Sequence, residues 1–263
     1  MSYYPILKVP GCVGSTTLFN FAPNNWERVE RRRRFINATW SEGKIWRSEC
    51  IGTLAIDESR TLTTKDITKD GLATENVIFL SLTTTVLPSE CQELPTIETH
   101  PLTSAPAWRA TLRLSTENAT TCFQGEIDPF PSKGSLLSFC PFIQHESEVE
   151  NLLVLVNIEK SPMSRDAMVE ILDSSTMIKK GEFRLSNNDV TVIALNELGF
   201  TESDLPVIIC RSMAAIPLYL SRTQNGSHLS LEHTHPPASF VVHGNRWEIQ
   251  RLLKSYWFSR VAQ

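Results

Sequence analysis

The sequence predicts a mainly β protein: antiparallel sheets packed as a sandwich or flattened barrel, closed by a C-terminal amphipathic helix. Three observations predict it. Apolar residues recur with period two rather than 3.6. The apolar runs are rich in β-branched residues. Turn-forming clusters separate those runs at roughly ten-residue spacing. A chain of 263 residues is long enough for one large β-domain or two smaller ones.

The elements follow in order. GCVGSTT (11–17) reads as a Gly-rich turn beside a strand. It lacks the lysine of the phosphate-binding pattern G-x-x-x-x-G-K-[ST], and no helical pattern follows it. NNWERVERRR (24–33) predicts about two turns of helix, with Asn24 or Asn25 as cap. The basic run 31–34 (Arg31, Arg32, Arg33, Arg34) reads as a solvated face whose arginines alternate sides if extended. SEGK (41–44) between INATW and IWRSE predicts a hairpin flanked by Trp40 and Trp46. With Trp26 these make a candidate binding platform, since exposed aromatic rings stack on a sugar or a base. VIFLSLTTTV (77–86) is β-branched and reads as a strand.

LPSECQELPTIETHPLTSAPAW (87–108) carries Pro88, Pro95, Pro101 and Pro106. Proline removes an N–H and restricts the preceding residue, so a central strand or helix is excluded here. This reading divides the chain into an N-terminal β-unit (1–86), a Pro-rich connection (87–107) and a C-terminal unit (108–263). The alternative is a single β-domain, 1–263.

In WRATLRLS (108–115), Trp108, Ala110, Leu112 and Leu114 alternate with Arg109, Thr111 and Arg113, which predicts a half-buried strand. SKGS (132–135) and KKGE (179–182) read as turns. NLLVLVNIE (151–159) is continuously apolar, as suits a strand covered on both faces. DVTVIAL (189–195), LPVIIC (205–210) and IPLYLS (216–221) are further strands, and NGS (225–227) turns the chain into HLSLE. The terminal helix spans 245–261. Asn245 and Glu248 resemble a capping box. Ile249, Leu252, Leu253, Tyr256 and Trp257 form one apolar face, with Arg251 and Lys254 expected in solvent. That face packs on a sheet or on a partner subunit, which makes a homo-oligomer through this helix an expectation.

The formal net charge is −4, which argues against a nucleic-acid partner. No apolar run approaches the length of a membrane span. The N-terminus lacks the apolar core of an export signal. The six cysteines are widely spread and form no C-x-x-C pair. Together these predict a cytoplasmic protein with reduced, mostly buried thiols. The N-x-[ST] triplets at Asn37, Asn118 and Asn225 are then chance matches.

Histidines concentrate near the C-terminal end. His233 and His235 project from one strand face, because residues i and i+2 share a side. With His243, and with His228 and Glu232 in reserve, they form a candidate zinc or iron site. The spacing is similar in part to the cupin metal motif, G-x5-H-x-H followed by a Glu and a Gly. Gly226 lies one residue too far from His233, and Pro236, Pro237, Ala238 and Ser239 stand where the Glu is expected. The alternative is that the prolines simply end a strand. Glu126 and Asp128 are the candidate catalytic carboxylates, since paired carboxylates cleave glycosides. No G-x-S-x-G elbow is present. Three functional expectations follow: a non-catalytic cytoplasmic binding or assembly module for a protein or carbohydrate, without cofactor; a cupin-like metal-dependent enzyme using His233, His235 and His243; and a carbohydrate-processing enzyme.

Overall fold

The computed structural model describes residues 3–20, 33–67, 76–95, 110–124, 127–140, 143–201, 203–233 and 246–261. Among these residues are seventeen strands, one long helix, a single-turn helix (Thr64–Ile67) and a 3-10 turn (Asn196–Leu198). The first strands are β1 (Tyr4–Pro5), β2 (Val13–Phe19), β3 (Arg33–Ser41), β4 (Trp46–Ala55) and β5 (Ser59–Thr63). Next come β6 (Phe79–Thr83), β7 (Glu90–Cys91), β8 (Ala110–Ser115) and β9 (Thr120–Gln124). The remainder are β10 (Leu136–Phe139), β11 (Val149–Val156), β12 (Asp166–Asp173), β13 (Lys179–Ser186), β14 (Val190–Ala194), β15 (Pro206–Cys210), β16 (Ile216–Thr223) and β17 (Leu229–His233). The C-terminal helix is Arg246–Val261.

These strands form four antiparallel sheets, ordered β1-β6-β3-β4-β7, β5-β2-β8-β9, β14-β11-β16-β17 and β10-β15-β12-β13. The sheets pack as sandwiches, because every sheet has at least one apolar face that must be buried. Strand β11 shows why its run is continuously apolar. Leu152, Val154 and Val156 enter a core shared with Leu112, Leu114 and Phe79. Leu153 and Leu155 enter a second core against the inner face of β12 and β15. The sheet containing β11 is thus covered on both faces, as expected.

Strands from both sides of the Pro-rich stretch pair directly. Val13 to Leu18 of β2 pair with Ser115 to Ala110 of β8. Leu94, within the stretch, is 2% exposed in the shared core. The stretch therefore does not separate two self-contained sheets.

Local readings were met unevenly. SEGK is the β3–β4 turn, where Gly43 has φ 72° and a left-handed residue favours glycine. GCVGSTT turns into β2. A side chain at Gly14 would put its Cβ 1.9 Å from the Leu7 carbonyl oxygen. NGS forms the β16–β17 hairpin, Gly226 having φ 67°. KKGE is a correction, because it lies inside β13. The register slips there, with Ile171 opposite Gly181 and Leu172 opposite Lys179, so the glycine marks a bulge. The reversal occurs one step earlier. There Asp173 Oδ2 accepts hydrogen bonds from the Ser175 and Thr176 hydroxyls, both at 2.6 Å. The helix expected over 24–33 falls largely outside the described residues, and Arg33 already belongs to β3.

The C-terminal helix exists, and of its expected apolar face Trp257 docks whereas Leu252 and Tyr256 do not, while the side chains of Ile249 and Leu253 lie outside the described residues. Trp257, Phe258 and Val261 pack on Leu172, Val207 and Ile209 of the outer sheet face. Leu252 and Tyr256 are 57% and 53% exposed. Lys254 is half-buried rather than solvated, donating to the Ser135 carbonyl at 2.8 Å. Arg251 is exposed as expected. Lys254, Trp257, Phe258 and Val261 stand at i, i+3, i+4 and i+7, a complete helical stripe. The pattern of large apolar residues places Leu252 and Tyr256 in the stripe, whereas the sheet selects the side that carries Phe258 and Val261.

Candidate functional site

The outer face of the β10-β15-β12-β13 sheet is divided in two. Ala167, Val169 and Ile171 of β12 point into the core, so alternation turns Met168 and Glu170 outward. The helix covers the end of this face carrying Leu172, Val207 and Ile209. The other end is an open groove of about 620 Å³ lined by Asp166, Met168, Glu170, Glu182, Arg184 and Arg211, with Ala167 and Ser212.

Charge in the groove is laddered. Met168 lies opposite Arg184, and Glu170 opposite Glu182. Like charges directly opposite across a ladder repel, and neighbouring cations offset this. Lys179 Nζ lies 2.6 Å from Glu182 and 3.6 Å from Glu170. Arg211 Nε lies 3.8 Å from Glu170. Arg184 bridges to Asp166, and with the Ser186 hydroxyl it holds the Asp166 carboxyl below the usual range. Met168 stays 49% exposed amid these charges. Arg211 also lies over the Phe258 ring at 5.0 Å, which joins the groove to the helix as one surface.

Beside the groove sits a buried polar hub. Glu159, 2% exposed, accepts from Arg165 Nε at 2.9 Å. Arg165 also donates to the Ser212 carbonyl at 3.0 Å. Asn187 and Asn188 hold the adjacent backbone through the Arg165 and Glu159 amides, at 2.8 and 2.7 Å. Its donors and acceptors serve one another, so the hub ties β11 to the β13–β14 turn and is structural.

The sequence-predicted residues fall elsewhere. His235, His243, Glu126 and Trp26 lie outside the described residues. His233 ends β17, its backbone opposite Leu218. His228 is exposed and its Nδ1 lies 2.8 Å from Ser227 Oγ. Glu232 is exposed four residues along the same strand side, roughly 13 Å away at strand spacing. Among the described residues, no group of three metal-ligating side chains forms. Asp128 is exposed next to the Tyr3–Ile127 bridge.

The tryptophan platform is corrected. Trp40 is 7% exposed and Trp46 fully buried. Trp40 pairs with Arg47 while Trp46 pairs with Ser41, so the two rings lie on opposite faces of the hairpin. Trp46 meets Phe79 edge-on at 6.3 Å and donates to the Lys160 carbonyl at 2.8 Å. Both rings are core residues.

Of the basic run, Arg31 and Arg32 lie outside the described residues, and Arg33 is exposed whereas Arg34 is buried, as alternation demands. None of the six cysteines forms a disulfide, but only Cys140 and Cys210 are buried, so the expectation of mostly buried thiols fails. Asn37 is buried in β3, whereas Asn118 and Asn225 are exposed. No described helix is long and apolar enough to cross a membrane.

Sequence reasoning missed the groove residues. DAMVEILD (166–173) carried the signal, because Ala167, Val169 and Ile171 alternate with Asp166, Met168 and Glu170. Reading KKGE as a turn removed the partner strand. No family model, curated protein or solved structure matches the chain.

Proposed function

We propose that this chain is a non-catalytic assembly module that recognises a protein through the outer face of the β10-β15-β12-β13 sheet. One observation carries the reading: a groove with an exposed Met168, flanked by carboxylates and guanidinium groups, runs beside a docked helix. An apolar centre with a charged rim is the anatomy of a protein contact face. Six thiols with no disulfide among them support a reducing, cytoplasmic setting. Burial of Trp40 and Trp46 removes two of the three rings of the carbohydrate alternative's stacking surface.

Affinity capture from the source cells tests the proposal, with wild-type protein beside a Met168→Glu variant and an Arg113→Glu variant on the distant strand β8. The expected result is a partner recovered by wild type and Arg113→Glu but lost with Met168→Glu. Recovery by all three places the contact elsewhere and overturns the reading. Selective binding to a glycan array also overturns it.

A further inference from the structure

We propose that Asn225 is a site of spontaneous modification, where attack by the Gly226 backbone nitrogen converts the asparagine to aspartate and isoaspartate and frees the β16–β17 hairpin from its tether. Asn225–Gly226 is the one Asn–Gly pair in the sequence. It sits at the hairpin tip, and Asn225 is exposed. The reaction needs the peptide nitrogen that follows an asparagine to reach that asparagine's own carboxamide carbon. A Cβ on the following residue crowds this approach, and glycine has none. Asn118 is the contrast, because it is also exposed but is followed by Ala119.

The local bonds favour the attack. Ser227 N–H donates to Asn225 Oδ1 at 3.0 Å. This bond folds the carboxamide back along its own chain. It also stabilises the negative charge that the oxygen gains as the nitrogen adds. Hydroxide takes the Gly226 N–H proton and the nitrogen bonds to Cγ of Asn225. The carboxamide nitrogen takes up a proton and leaves as ammonia, and a five-membered imide remains. Water then adds to either imide carbonyl and opens the ring. One opening leaves aspartate. The other routes the backbone through Cβ, one methylene longer, and leaves isoaspartate.

The extra methylene falls where two hairpins are joined. The Thr116 hydroxyl, in the β8–β9 turn, donates to the Gly226 carbonyl at 2.6 Å. Gly226 N–H donates to the Thr223 carbonyl at 2.9 Å. Gly226 has φ 67°, and a Cβ there would lie 3.2 Å from Thr116. Lengthening the backbone directly before Gly226 displaces both of its polar groups from these partners. The same two bonds hold the nitrogen in the intact hairpin, so attack requires the tip to open locally. The Thr116 tether therefore sets the rate.

Peptide mapping by mass spectrometry tests the proposal on the full chain, held at physiological temperature from neutral to mildly alkaline pH. Asn225 should convert ahead of Asn118, faster as the pH rises, with isoaspartate among the products. Thr116→Val should speed the conversion by about two- to tenfold, the gain in opening expected from losing one hydrogen bond. Thr116→Ser keeps the hydroxyl and should hold the wild-type rate. Amides of 223–233 should exchange faster in the isoaspartate form than in fresh protein. An Asn225 that outlasts Asn118, or conversion to aspartate alone, overturns the proposal. So does a Thr116→Val rate no higher than that of Thr116→Ser, or unchanged exchange in the isoaspartate form.

Discussion

Replacing Trp257 with alanine tests how the C-terminal helix is held. Trp257 packs with Phe258 and Val261 on Leu172, Val207 and Ile209, and meets Phe139 edge-on at 5.4 Å. A fully buried tryptophan truncated to alanine costs about 3–5 kcal/mol. This ring is half-buried, which brings the cost to about 1.5–2.5 kcal/mol, and the aromatic contact adds about 0.5–1 kcal/mol. A total of about 2–3.5 kcal/mol should lower the melting temperature by roughly 4–14 °C if helix and sandwich unfold together. If the helix undocks first, the melt stays fixed and amides of 246–261 lose about thirtyfold or more in hydrogen-exchange protection. Leu252→Ala serves as the contrast, with an expected change within about 0.5 kcal/mol for the monomer. Hydrogen exchange and circular dichroism on both variants separate the outcomes. An unchanged melt with unchanged protection in Trp257→Ala would refute the docking stripe. A larger loss in Leu252→Ala would restore the face read from the sequence.

Asp173→Ala should destabilise the β12–β13 corner by about 2–4 kcal/mol in a denaturant melt, since it removes charge-assisted hydrogen bonds from two hydroxyls and three amides. Burial pushes the Asp173 carboxyl up, but those hydrogen bonds outweigh burial and hold it below its ordinary 3.8. A depressed carboxyl contributes fully above its unfolded value and loses that contribution as acid protonates it in the fold. The difference between wild type and Asp173→Ala should therefore be constant above about pH 5 and shrink in stronger acid. A difference that grows on acidification would contradict the assigned hydrogen bonds. Elemental analysis addresses the histidines. The assembly reading expects less than stoichiometric zinc or iron, and one equivalent lost on His233→Ala with His235→Ala would overturn it in favour of the cupin-like reading.

Period-two alternation by itself determined that this chain is antiparallel β, because a strand with one buried face must alternate whatever lies opposite. It located the β3–β4 and β16–β17 hairpins through glycines that adopt positive φ. It marked β11 as doubly covered, because an unbroken apolar run has no polar side to show to water. Partners were decided only in three dimensions. Pairing of β2 with β8 joins residues almost a hundred positions apart, which no local pattern encodes. The Trp40–Trp46 platform failed on parity, since the turn set Ser41 opposite Trp46 and sent the two rings to opposite faces. The helix stripe was legible only at Trp257, because large apolar residues sit on both sides of the helix, and the sheet surface beneath chose Phe258 and Val261 over Leu252 and Tyr256. The groove stayed invisible because its charges come from two strands and a loop, and register alone brings Glu170 opposite Glu182. Local chemistry selects strand and turn, whereas the placing of side chains on a shared face depends on long-range register and packing.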